Sequence, residues 1–239
     1  MRTAPFIVMV LLVVCGPGPQ SAGQARHITG APFPLVQGTY WVYEGTVRWT
    51  PAGSSEVLEK QVHLRMEVIE TLDHRAVVAA RVKGHPMDLT WYEEGRQPRD
   101  YLILQVWQDR YYLLQGERAQ EALKRLRTEQ TQLGHLANEN ELFLELPLVE
   151  RRAFGETSQL TREDRFYCWV VGQRRDDELE GVKGATKRPL TVWEVSQRTI
   201  GGVQSFEFAA GLGFTRYRYH HNGTVSEFDL KLVEFSRGR

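Results

Sequence analysis

The C-terminal part of the chain constrains the fold most, because a turn signal and two strand patterns agree there. Apolar and polar side chains alternate through residues 211–235 on both sides of Asn222-Gly223. This dipeptide is typical of a two-residue type I′ turn between antiparallel strands, since both central residues need a positive φ. Such a turn places His221 opposite Thr224. The sequence therefore predicts a hairpin with one buried and one solvent-facing side.

The predicted register gives this hairpin an apolar face and a charged face. Its apolar cross-strand pairs are Tyr219–Ser226, Tyr217–Phe228 and Thr215–Leu230. Its charged pairs are Arg218–Glu227 and Arg216–Asp229. Opposite charges that face each other across two strands favour that pairing by up to about 1 kcal/mol.

Similar patterns upstream predict more strands of the same antiparallel kind. Trp41 and Tyr43 share one face of the first strand, and Gly45 on that face indicates a bend. The stretch Tyr101–Leu104 is apolar without alternation, which indicates a strand covered on both faces. The charged connection Arg174–Arg188 is predicted to be an exposed loop. The predicted strands are Thr39–Thr50, Val57–Leu72, Arg75–Gly84, Met87–Glu93, Tyr101–Trp107, Arg110–Leu114, Asp164–Gln173, Leu190–Thr199 and Gly201–Ala209.

One segment differs from the strands. Ala119, Leu123, Leu126 and Leu133 recur near helical spacing among charged residues, which predicts a helix over 117–133 lying across a sheet face or a barrel opening. The expected fold class is mainly β (α+β), a curved antiparallel sheet or half-barrel with one prominent helix. We expect a single β-rich domain over residues 26–239, with two sheet regions joined by the helix as the alternative.

The N-terminus has the pattern of a secretory signal peptide. Arg2 precedes the apolar run Pro5–Cys15, and small residues and turn formers follow, so residues 1–25 are predicted to be cleaved off. The run is short for a bilayer span, and no transmembrane span is expected after cleavage. The alternative is a lipoprotein acylated on Cys15, although Val14 is larger than the residue that usually precedes such a cysteine.

Composition argues against nucleic acid and against an acidic membrane as partners, because 30 basic residues balance 30 acidic ones and leave no net electrostatic field to attract either. After signal cleavage Cys168 is the only remaining cysteine, so no intramolecular disulfide is possible. Tyr167 and Trp169 flank it, which favours a core position. A nucleophilic cysteine would need an electropositive, partly exposed setting.

No catalytic, metal or cofactor site is predicted. His220 and His221 are adjacent on a strand, so their side chains point to opposite faces. His63, His74 and His85 fall on a strand, a reversal and a loop, without carboxylate or cysteine ligands at suitable spacing. The paired carboxylates lie in polar stretches, where solvated loops are expected.

Aromatic residues are abundant, with 6 Trp, 9 Tyr and 10 Phe, many on strand faces. They are expected to fill the core of a large sheet. The alternative is a cavity for an apolar or amphipathic ligand inside a curved sheet. The candidate ligand-binding residues are then Trp41, Tyr43, Tyr217 and Tyr219.

The two ends of the chain carry motifs that resemble a known group. Phe33-Pro34-Leu35, Gly38 and Trp41-Val42-Tyr43 are similar to a PLxxGxxWxY start, and Ala210–Phe214 is similar to a PGVG-like C-terminal strand motif. This pattern is found in exported bacterial β-rich proteins and lipoproteins of unknown function. Ala210 stands where the pattern often has proline, and Leu212 where it often has valine. The resemblance implies a fold similar to periplasmic lipoprotein carriers.

These observations predict an exported protein of the periplasm or cell envelope that is not an enzyme and needs no cofactor. Its expected partner is a lipid or other apolar ligand, or an envelope protein. Two alternatives stay open. One is a secreted hydrolase using Cys168 or a loop carboxylate, and the other is a structural envelope assembly protein.

Overall fold

A computed structural model describes residues 32–74, 77–88, 99–128 and 136–238. Twelve antiparallel strands form one sheet in the order β6-β5-β4-β3-β2-β1-β12-β11-β10-β9-β8-β7. The first six strands are β1 Tyr40–Trp49, β2 Leu58–His74, β3 Val77–Lys83, β4 Asp100–Val106, β5 Arg110–Gln115 and β6 Leu142–Glu145. The other six are β7 Ala153–Phe154, β8 Trp169–Asp177, β9 Leu190–Arg198, β10 Gly202–Ala209, β11 Gly213–His221 and β12 Ser226–Ser236.

The sheet consists of two six-stranded meanders that are joined where β1 pairs with β12. The sheet curls until its two edge strands, β6 and β7, approach each other, so it forms a nearly closed barrel. The predicted fold class, a mainly β curved antiparallel sheet with one prominent helix, is confirmed. Among the described residues, no helix is long and apolar enough to cross a membrane.

Because the strands alternate in direction, the connections fall at two ends of the barrel. The lower end is where β1 begins and β12 ends, and it also carries the connections 107–109, 146–152 and 210–212. The upper end carries the connections 50–57, 199–201 and 222–225 and the connection between β3 and β4, of which residues 84–88 and 99 are described.

Large aromatic side chains fill the interior of the barrel. Phe214 is central among them, with its ring centroid 4.8 Å from that of Phe33, 4.9 Å from Phe206 and 4.8 Å from Tyr217. Most of these pairs are tilted or edge-to-face, the arrangements that aromatic rings prefer. The strands provide them from alternate positions, which is how period-two sequences build one face of a sheet.

Helix α1, Gly116–Thr128, lies across the outer face of β3, β4 and β5 and closes a second core. Its buried residues are Ala119, Ala122, Leu123 and Leu126. The helix therefore covers the side of β4 that faces away from the barrel interior, and the whole stretch Tyr101–Leu104 is buried. The last residues of the predicted helix, 129–133, lie outside the described part of the chain. The described part of the chain also contains two short helices, a 3-10 helix Glu139–Glu141 and α2 Thr157–Leu160.

The predicted register of the last hairpin is wrong by two residues. Tyr217 pairs with Leu230 and Tyr219 with Phe228, so the connection has four residues, 222–225. Neither Asn222 nor Gly223 has a positive φ. Asn222 instead bonds the neighbouring β9–β10 turn, through its backbone N–H to Gly201 O and its side chain to Ile200 O, both at 3.0 Å.

A two-residue shift keeps every side chain on its predicted face, since the side-chain period of a strand is two. Tyr217 still points inward, and Arg216 still binds Asp229, with Nε 2.7 Å from Oδ1. The predicted pair Arg218–Glu227 is not formed. Arg218 binds Glu194 at 2.7 Å, while Glu227 binds Arg48 and His220.

Other boundaries also differ from the predictions, and β2 continues through His74, where the sequence predicts a reversal. The strand predicted over Asp164–Gln173 begins only at Trp169, because Arg165 and Tyr167 take positive φ and the Asp164 carboxylate accepts the Phe166 N–H in a turn. That strand runs on to Asp177, so the first residues of the predicted loop Arg174–Arg188 are sheet. Of the predicted strand Met87–Glu93, Met87 lies in a turn, and residues 89–93 lie outside the described part.

Candidate functional site

Two of the predicted ligand-binding residues are closed off inside the barrel. Trp41 and Tyr43 are fully buried. The Trp41 indole Nε1–H donates to Leu212 O at 2.7 Å, and the Tyr43 hydroxyl donates to Phe214 O at 3.1 Å. Both polar atoms are therefore used by the protein's own backbone, as buried polar groups usually are.

Tyr217 contacts a histidine that the sequence did not single out as a site residue. His85 is fully buried in the 84–88 connection, and its Nδ1 accepts the Met87 N–H at 3.1 Å. The ring proton must then lie on Nε2, which donates to the Tyr217 hydroxyl at 3.3 Å. Burial lowers the pKa of His85 to about 3 and raises the pKa of Tyr217, so both groups are neutral at physiological pH.

Tyr219 lies nearer the upper end, where its ring stacks on Phe228 at 6.0 Å. A cavity of about 20 Å³ lies beside these two rings, lined also by Met87, Trp169 and Phe206, and it has room for about one water molecule. Of the four predicted residues, the structure brings Tyr43 and Tyr217 into contact, with ring centroids 5.9 Å apart. Their surroundings are packed protein.

The two sequence motifs at the chain ends pack against each other at the lower end. A Cβ on Gly213 would lie 2.8 Å from the Phe33 ring and 3.2 Å from Trp41 Nε1. Gly213 also has φ +99°, a conformation that other residues rarely adopt. The Gly211 N–H donates to Pro32 O at 2.7 Å. The two motifs thus attach the segment before β1, residues 32–39, to the β10–β11 turn.

Cys168 is buried, and its thiol donates to Arg165 O at 3.2 Å. Burial raises the pKa of this thiol. A nucleophilic cysteine needs the opposite shift, towards the thiolate. Within the described residues, no group of three His, Cys, Asp or Glu side chains is arranged to hold a metal ion.

Two clefts on the outer surface are lined largely by charged side chains. The first, about 490 Å³, crosses β9–β12 and β1 and contains Arg48, Glu194, Arg218 and Glu227. The second, about 600 Å³, lies under the β8–β9 loop and ends on Glu207, whose buried carboxylate binds Arg175 at 2.6 Å. The charges of the first cleft pair with one another or with Arg216. The second cleft is lined by five acidic and three basic side chains, so neither cleft presents an excess of positive charge.

A third cavity, of about 540 Å³, lies between α1 and the first residues of β4, and we call it the helix groove. Its walls are mainly apolar, formed by Tyr101 and Leu102 of the strand and Ala119 and Leu123 of the helix. The helix packs on β4 through the small side chain of Ala119 and the branched side chain of Leu123. The groove lies at the solvent-facing edge of this contact. Its volume lies in the range of about 300–1,000 Å³ that is typical of small-molecule sites.

Three arginines line the helix groove, Arg81 on β3, Arg99 before β4 and Arg127 in the last turn of α1. Arg81 binds Glu70 at 3.2 Å and Asp100 at 3.0 Å, and Arg127 also binds Glu70. These hydrogen bonds, led by that from Arg127, lower the pKa of Glu70. Arg81 and Arg127 thus share Glu70 and Asp100, and the lining of the groove as a whole holds three arginines and one aspartate.

The helix groove combines apolar lining residues with guanidinium groups, which can form bidentate hydrogen bonds to a carboxylate or phosphate. Sequence reasoning missed it as a site. The signals were present, namely a strand that is apolar on both faces and a helix with a narrow apolar stripe. The sequence does not show that Arg81, Arg99 and Arg127, which lie on three separate segments, come together at one groove.

No protein-family model and no curated protein matches this chain. Two solved structures are similar to it. One is a Bacteroides fragilis NCTC 9343 protein with a YmcC-like fold that is predicted to be exported, 10% identical over 87% of this chain and 99% of that one, with a TM-score of 0.41. The other is a predicted lipoprotein of Parabacteroides distasonis ATCC 8503, 12% identical over the same shares, with a TM-score of 0.35.

Proposed function

We propose that this protein is an exported, non-enzymatic protein of the bacterial envelope that binds an anionic amphiphile in the helix groove. The observation that carries the proposal is an open cavity of about 540 Å³ between the helix and β4, in which apolar side chains lie beside three arginines. An acyl or similar chain would lie against these apolar side chains, and its carboxylate or phosphate would bind the guanidinium groups. Export is proposed from the signal-peptide pattern of residues 1–25.

This proposal places the ligand outside the barrel, although the aromatic interior suggested a site within it. Trp41, Tyr43 and Tyr217 are buried against protein atoms, and the cavity near Tyr219 has a volume of only about 20 Å³. A bound chain would need several side chains to move there. The helix groove is already open, so binding does not have to displace the core.

The charge requirement is tested with two ligands that share one chain, dodecanoate and dodecanol. Titration calorimetry of the mature protein is expected to show tighter binding of dodecanoate. Replacing Arg127→Gln should weaken dodecanoate about tenfold, which corresponds to about 1.4 kcal/mol, and leave dodecanol unchanged. Arg125→Gln is the matched control, because Arg125 lies on the same helix and pairs with Glu121 outside the groove.

The location is tested by filling the groove. Gln120→Trp places a large side chain at a lining position and should abolish binding of both ligands. Glu117→Trp adds the same bulk at an exposed helix position outside the lining and should leave binding intact. If dodecanoate binds the Gln120→Trp variant as tightly as the wild type, the helix groove is not the site.

Cys168 provides the test of the enzymatic alternative. Its burial, and the raised pKa of its thiol, favour a structural residue over a nucleophile. Cells carrying Cys168→Ser are therefore expected to keep the wild-type phenotype. A loss of function with normal protein levels would support a cysteine hydrolase and contradict the proposal.

A further inference from the structure

The β4–β5 turn at the lower end holds its residues in an uncommon conformation. Trp107 has φ +53° and Gln108 has φ +70°. Residues other than glycine pay about 1–2 kcal/mol for the left-handed region, because Cβ approaches the following carbonyl oxygen. A bulky residue such as tryptophan is especially rare there. Local stability alone would favour glycine or asparagine at these positions.

The structure fixes this turn with three hydrogen bonds. Gln108 O accepts from Gln105 Nε2 at 3.0 Å and from the Tyr111 hydroxyl at 3.4 Å. Both donors belong to buried side chains. The Leu146 N–H donates to Asp109 O at 2.8 Å. A strained conformation persists where its surroundings over-determine it, and such places are often functional.

In this turn conformation the Trp107 side chain points into solvent. Trp107 is 73% exposed, although its large apolar surface would normally be buried. Val149, 51% exposed, lies on the 146–152 loop that the turn binds through Leu146. The guanidinium groups of Arg110 and Arg152 lie beside the same loop, each near Glu145. We call Trp107 and Val149 the lower-end tip.

The lower-end tip is on the side of the barrel where the N-terminal segment attaches. The Phe33 ring lies 5.9 Å from the ring of Tyr111, whose hydroxyl donates to the backbone oxygen of Gln108, the residue after Trp107. Residues 1–31 precede this point and include the apolar run Pro5–Cys15. A chain that is held at a membrane through that segment during export is attached at the lower end of its barrel.

We infer that the lower-end tip docks on the surface of a lipid bilayer, with Trp107 inserted at the level of the headgroups. Tryptophan is the side chain most typical of that region, and flanking arginines keep their charge in the headgroup layer. A protein partner is the weaker match. Two exposed apolar side chains cover far less than the roughly 1,000 Å² that a specific protein interface buries, whereas a bilayer can accept a single rigid anchor. The inference does not depend on a ligand in the helix groove.

The test uses a fluorescent probe on the mature chain. Gln108→Cys and Thr224→Cys place an exposed thiol at the lower and upper ends, and each is labelled with an environment-sensitive dye. Native Cys168 is buried and is not labelled. Vesicles of phosphatidylcholine and phosphatidylethanolamine are added. We expect a blue shift of the emission, and quenching by spin-labelled lipid, for the probe at 108 and not at 224.

Two variants distinguish binding through the lower-end tip from non-specific adsorption to the vesicles. Trp107→Ser in the 108-labelled protein should abolish the shift. Ile200→Ser should leave it unchanged, because Ile200 is 74% exposed at the upper end and matches Trp107 in exposure. The inference is overturned if the probe at 108 stays in water, if both ends shift equally, or if Trp107→Ser has no effect. Circular dichroism of each variant confirms that the barrel is folded.

Discussion

At the scale of single residues, His85 couples the stability of the fold to pH. It is buried among the rings of Tyr101, Phe214 and Tyr217, and its pKa in the folded protein is about 3. In the unfolded chain the pKa returns to about 6.5. The unfolded state therefore binds more protons between these two values, and acid favours unfolding there.

We expect the free energy of unfolding to fall as pH drops through 6.5, by about 1.4 kcal/mol per pH unit from this group. The stabilisation that the neutral His85 contributes is fully present above pH 6.5 and is lost by about pH 3. Urea unfolding at pH 7, 6 and 5 measures the slope. His85→Gln should be less stable at pH 7 but should lose less stability on acidification.

His63 provides the control for that experiment. Its side chain is 67% exposed beside Glu44, so His63→Gln removes a histidine without disturbing the barrel interior. Equal slopes for the wild type and His85→Gln would mean that His85 is not the titrating group. The sequence placed His85 in a loop before a proline, and nothing local shows that this loop enters the barrel.

At the scale of elements, the 222–225 connection shows how a strong local signal can be overruled. An Asn-Gly pair needs positive φ at both positions to form a type I′ turn. Here Asn222 gains hydrogen bonds to the β9–β10 turn instead. The alternation of apolar and polar residues in 213–221 and 226–236 still predicts the buried face correctly. That face depends only on the side-chain period of two, whereas the register depends on the turn.

Substitutions in this connection distinguish the two turn types. Asn222→Ala removes the bond to Ile200 O and should cost about 1 kcal/mol. Gly223→Ala should cost less than that, because the φ of Gly223 lies outside the left-handed region and the nearest contact is a side-chain atom, His221 Cε1, at 3.1 Å. In a type I′ turn the same change would cost about 1–2 kcal/mol. Thermal and urea unfolding of both variants provide the comparison.

The junction between β1 and β12 depends on another glycine. A Cβ on Gly45 would lie 1.8 Å from Asp229 O of β12. We expect Gly45→Ala to force the strands apart and to lower the free energy of unfolding by about 3 kcal/mol. Gly201→Ala is the control, since its Cβ would meet nothing closer than Thr199 Oγ1 at 3.7 Å. Similar losses for both variants would show that the close approach at Gly45 is unimportant.

At the scale of the whole molecule, the sequence predicts the parts better than their assembly. Strands such as Leu190–Arg198 are visible because local alternation reports which side chains are buried. The closure of the sheet through β1 and β12 joins residues nearly two hundred positions apart, and no local pattern encodes such a pairing. The helix groove follows from the same kind of distant contact, which is why its three arginines could not be grouped from the sequence.

The placement of β1 in the middle of the sheet has a mechanical consequence. It pairs over its full length with β2 on one side and β12 on the other. If the chain is tethered through Pro32 and the upper end is pulled away, the load runs along β1 in shear, and the hydrogen bonds of both flanks resist together because they lie perpendicular to the strand. A pull that separates the two chain ends acts differently. Gly238 lies beside Thr39, so β12 would peel from β1 one bond at a time, at a far lower force.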